Sequence, residues 1–123
     1  MAAPNIVNVT SIIGNSLSVA VLTTATQLAS NAASSGKVFK INSIVVANID
    51  GTSAADITVN IYSAAALGGT AIAIASTISI PADASLIVTD KTTTFYLLEN
   101  QSIGALASAA GDLVATISFE EIT

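Results

Sequence analysis

Eight carboxylates and three lysines are the only strongly acidic or basic side chains this sequence offers to catalysis or metal binding. It contains no His and no Cys, and its cations are Lys37, Lys40 and Lys91, so Arg is absent too. No imidazole base, Ser–His dyad, thiol nucleophile or bidentate guanidinium clamp can be built from it. Asp50, Asp56, Asp83, Asp90, Glu99, Asp112, Glu120 and Glu121 are scattered, most of them beside turn residues. A calcium site needs roughly six to eight oxygens, usually from several acids in one loop. The nearest approach, Asp50 to Asp56, lacks alternating acids, and Asp50 reads as a turn residue bonding its own backbone. The glycines make no phosphate cradle, because no Lys-Ser/Thr follows Gly68-Gly69. A glycosidase cleft wants aromatic walls, and the chain holds two Tyr and three Phe. These absences point away from an enzyme, and no cofactor or metal is expected.

The same balance bounds the partners. Charged residues make up 9% of the chain, against about 25% in ordinary soluble domains. A net charge of −5 with three cations leaves nothing to displace counterions from phosphates, so nucleic acid is excluded. Hydrophobic residues reach 52%, but Ser, Thr, Asn and Asp break every apolar run well short of the roughly 18 needed to span a membrane as a helix. No secretory pattern is visible at Met1 to Asn5. A surface of Ser, Thr and Asn loses little side-chain entropy when ordered against a neighbour, which suits dense packing between subunits.

The elements beneath this surface follow a period of two. In Asp56 to Tyr62, Ile57, Val59 and Ile61 share one face, predicted to point inward, and Thr58, Asn60 and Tyr62 share the other. Strands are expected near 5–13, 17–28, 37–49, 55–64, 71–80, 85–90, 94–98, 102–108 and 113–122. Turn residues divide them at Gly14-Asn15, Ser34 to Gly36, Asp50-Gly51, Gly68-Gly69, Pro81 to Asp83, Glu99-Asn100 and Gly111-Asp112. The expected architecture is all-β: one antiparallel β-sandwich over residues 1–123, jelly-roll or immunoglobulin-like, with about eight or nine short strands. Ala64 to Leu67 reads as a loop, and Thr24 to Ala33 as a strand running into a loop.

Residues 1–15 read either as the first strand or as an arm that adds a strand to a neighbouring subunit's sheet. Ile6, Val7, Val9 and Ile12 are the arm's candidate interface residues. Tyr62 and Tyr96 join them, as packing residues in the core or at an interface, or as a platform for a sugar. The strands carry few charged gatekeepers, a hazard that assembly would remove by covering their edges.

The segments Gly36 to Ile44, Val46 to Gly51, Ile57 to Tyr62, Ile80 to Leu86, Phe95 to Glu99 and Ile117 to Ile122 together resemble a family of small virion structural proteins. These belong to tailed phages, especially those infecting marine cyanobacteria, and the resemblance covers residues 36–122. It implies a particle component without catalytic residues, assembled in the host cytoplasm. The expected role is a capsid decoration protein that stabilises the shell through repeated contacts with the major capsid protein or other virion proteins. A homo-oligomer, a trimer above all, would match the shell's local three-fold positions. The alternatives are a tail, neck or fibre component and, from another class, a glycan-binding adhesin module.

Overall fold

A computed structural model describes residues 5–123; residues 1–4, which include the start of the expected arm, lie outside the described residues. The described chain forms nine strands and no helix. They are β1 (Ile12–Ala20), β2 (Thr26–Asn31), β3 (Val38–Asn48), β4 (Ala55–Ala64), β5 (Gly68–Ile80), β6 (Ser85–Thr89), β7 (Phe95–Leu97), β8 (Gln101–Ala107) and β9 (Leu113–Ile122). One sheet has the order β1-β9-β3-β6, with β7 also paired to β3; the other has the order β2-β8-β4-β5. Every pairing is antiparallel.

The pairings nest. β1 pairs with β9, β2 with β8 and β4 with β5, while β3 pairs with β6 at Ile44–Ala47 and with β7 at Phe39–Ile41. β6 and β7 are therefore two pieces of one interrupted edge strand, broken by the loop at 90–94. Two four-position sheets wrapped in this nested order are a jelly roll. An immunoglobulin sandwich is excluded, because its first strand does not lie beside its last in this way.

Alternation puts the core where sequence periodicity placed it. Ile57 and Val59 are buried, and Ile61 packs against the same cluster. Ile41, Ile44 and Val46 from β3 and Ala115 and Ile117 from β9 meet them from the other sheet. Phe39 and Phe119 stack with ring centroids 5.2 Å apart. Two buried asparagines tie the layers together at opposite ends of β3. Asn31, in β2, donates to the carbonyls of Lys37 (2.9 Å) and Leu97 (3.2 Å) in the facing layer. Asn48, at the end of β3, donates to the carbonyls of Ser53 and Ile80, both at 2.9 Å.

Expectation and structure diverge at the front of the chain. Residues 5–11 form no strand, and the expected turn at Gly14-Asn15 lies inside β1. Gly and Asn favour turns because they tolerate positive φ, but neither residue adopts one here. Ile12 to Asn15 thus belong to the domain's own first strand rather than to an arm. Ala65 to Leu67 form the expected loop, with Ala66 and Leu67 at φ of 56° and 59°, while Ala64 closes β4.

Candidate functional site

The chemistry-bearing side chains are dispersed by this fold. Among the described residues no three acidic groups gather as a metal site, and no helix is long and apolar enough to cross a membrane. Asp50 and Asp90 each cap a turn. The backbone N–H of Thr52, joined by its hydroxyl, holds the Asp50 carboxyl below its usual value. The Thr92 hydroxyl, joined by its N–H, does the same to Asp90. On the outer face of the five-stranded sheet an open depression of about 590 Å³ is lined by Lys40, Asn42, Asp90, Lys91, Ser118 and Glu120, among others. Asn42 Nδ2 donates to Glu120 Oε1 at 3.2 Å, and Lys40 lies opposite Glu120 across β3 and β9. Two lysines and two acids thus share the lining, and the Glu120 carboxylate is held by the Asn42 amide.

The six candidate interface residues separate. Ile6 and Val7 are exposed and Val9 is half-buried, outside any strand. Ile12 opens β1 and is 56% exposed. Tyr96, 44% exposed, sits across from Lys40 on the outer face. Tyr62 packs within the domain: only 8% exposed, it lies on the outer face of the other sheet, beneath the loop joining β4 to β5. Gly104 makes room for it, since a Cβ there would stand 3.0 Å from Tyr62 Cε1 and 2.7 Å from Leu67 Cδ2. Tyr62 is therefore neither an exposed interface residue nor half of a platform with Tyr96, which belongs to the opposite sheet.

What the fold does expose is sheet edge, and the four edges are not alike. An unpaired edge invites another strand unless bulges, shortness, charge or Pro blunt it. β5 is long and carries exposed Ile72, Ile74 and Ile78, but its register against β4 shifts three times and Thr77 sits at φ 50°. β2 has six residues and a register shift between Gln27 and Ala29. β6 and β7 have five and three residues, with Asp90 and Lys91 in the break. β1 has none of these devices. Its nine residues contain no charge and no Pro, and they pair with β9 in unbroken register.

The hydrogen bonds fix which groups β1 leaves open. Ser11 and Thr123 exchange bonds of 3.2 and 2.9 Å, and Val21 N donates to the Leu113 carbonyl at 2.9 Å. Antiparallel bonding alternates, so the odd-numbered residues of β1 bond β9. Ile12, Gly14, Ser16, Ser18 and Ala20 point their N–H and C=O groups outward. Exposed Ile12, Ile13 and Leu17 flank this edge with apolar surface. The sequence marked only its first residue, Ile12, because Gly14-Asn15 looked like the end of a strand.

No family model matches the chain, and no curated protein matches it. Among solved structures it is similar to a chain from Bacillus endospore appendages, described as a novel family of disulfide-linked pili. The two share 17% identity at a TM-score of 0.53, over 92% of this chain and 88% of that one. At that identity the likeness shows the fold alone. This chain contains no Cys.

Proposed function

We propose that this chain is a structural subunit whose work is assembly, associating with copies of itself on a larger protein particle. The open β1 edge carries the reading: an uncharged, regular strand flanked by exposed Ile and Leu is a surface that a stable soluble monomer ordinarily blunts. The particle we favour is a tailed-phage virion, with the chain decorating the capsid surface against the major capsid protein. The resemblance over residues 36–122 supports this, and so, by analogy of fold, does the use of jelly rolls in viral capsids. Trimers at local three-fold positions suit such a lattice, where repetition supplies avidity. A second reading, a tail, fibre or filament component, is favoured by the likeness to an appendage chain. The adhesin reading has lost the paired tyrosines on which a sugar platform would rest.

Co-sedimentation of the purified protein with phage heads lacking it, and separately with isolated tails, tests the location. Saturable binding to heads in many copies is the expected result. Binding to tails alone moves the assignment to the tail, and binding to neither removes the virion from the proposal.

A further inference from the structure

We infer that β1 pairs with β1 of a second copy, antiparallel and in register about Ser16, joining two five-stranded sheets into one continuous sheet. This rests on the assembly reading above and names its contact. β1 is the one edge without a blunting device among the four formed by the described strands, so it is where a strand adds. Its partner is another copy because the edge complements itself. Centred on Ser16, the pairing sets Gly14 against Ser18 and Ile12 against Ala20, so all five outward-bonding residues of each copy meet outward-bonding residues of the other. Up to about ten backbone hydrogen bonds result, a number typical of a whole stable interface. On the core-facing side Ile13 meets Val19 and Asn15 meets Leu17, covering apolar surface that the domain itself leaves exposed.

Size and charge favour the same arrangement. Small side chains at Gly14, Ser16, Ser18 and Ala20 allow close approach, and no charge lies on either strand. The nearest acid on the outer face is Glu120, opposite Gly14 on β9. Strand spacing of ~4.8 Å and a rise of ~3.4 Å per residue put the two Glu120 residues about 20 Å apart. That is beyond a Debye length of about 8 Å at physiological salt, so the acids do not hold the copies apart. A contact of this kind is two-fold, and on a shell it would link one trimer to the next.

Single cysteines in the full chain test the register, because the sequence supplies none of its own. Directly opposed, hydrogen-bonded residues have Cα atoms about 5.5 Å apart, within disulfide reach. Under mild oxidation Ser16→Cys is expected to run mostly as a covalent dimer on a non-reducing denaturing gel. Ser18→Cys, whose two copies stand about 14 Å apart in this register, should cross-link at least tenfold less. Ser16→Pro removes only an outward N–H, which an edge strand tolerates. It should keep the wild-type circular dichroism and lower the sedimenting mass at concentrations where the wild type self-associates. Equal cross-linking of the two cysteine variants, or a folded Ser16→Pro that associates like wild type, overturns the β1 pairing and leaves assembly through another surface standing. A wild-type chain that stays monomeric overturns both.

Discussion

Asn48 offers the sharpest test of how the two layers are held together. Its amide donates to Ser53 and Ile80 carbonyls and accepts from the Asp50 N–H, each at 2.9 Å. Asn48→Ala removes all three bonds. Ile80 is 1% exposed, and the bond to its carbonyl is buried, so that oxygen loses its donor where water cannot replace it. Such a group costs about 1–3 kcal/mol, and the two partly accessible bonds contribute about 0.5–1 kcal/mol each. The expected loss is therefore about 2–5 kcal/mol, read by urea denaturation followed by far-UV circular dichroism. In a domain of this size it corresponds to a fall in melting temperature of roughly 8–20 °C. Asn48→Asp should do no better at neutral pH, because a carboxylate would face two carbonyl oxygens. Those oxygens raise its folded pKa, so that variant regains stability as falling pH protonates it. An Asn48→Ala protein within about 0.5 kcal/mol of wild type would behave like a surface substitution and refute the clamp.

Three further outcomes follow from the same geometry. Gly104→Ala places a methyl group 2.7 Å from Leu67 Cδ2 and 3.2 Å from the Thr26 carbonyl; the expected cost is about 1–3 kcal/mol by denaturation, with increased exposure of Tyr62 to solvent quenchers. Ile57→Ala, at a fully buried position, should cost about 2–5 kcal/mol in the same assay. The folded-state pKa values of Asp50 and Asp90 lie below the ordinary 3.8. Their stabilisation is thus present above that value and lost as pH falls through the lower folded one. Replacing both with Asn should flatten the acid limb of the melting temperature plotted against pH, and an unchanged limb would count against the turn bonds.

The alternation of Ile57, Val59 and Ile61 announced an inward face because each intervening residue is polar or, in Tyr62, amphipathic. Turn chemistry at Asp50-Gly51, Pro81 to Asp83 and Gly111-Asp112 separated β3 from β4, β5 from β6 and β8 from β9. β1 escaped because its one glycine and its asparagine are ordinary extended residues in the fold, and residue type alone does not distinguish these cases. That Tyr62 packs away from solvent was legible from its ring, but not the place, because its cover comes from Leu67, which folds back over it, and from room left by Gly104, far away in sequence. The open edge is further still from the sequence: it emerges only from comparing the register of four strands with their neighbours. Of the candidate chemistry the sequence shows only which side chains exist, with His, Cys and Arg missing; where Asp50, Asp90 and Glu120 lie is set by the fold.

A chain whose work is assembly associates with itself in solution. Sedimentation equilibrium of the full chain, over a wide concentration range at physiological salt, addresses it most directly. The expected result is a mass rising with concentration to a defined multiple of the 12.2 kDa chain. A single species of that mass at every concentration, up to millimolar, would contradict it.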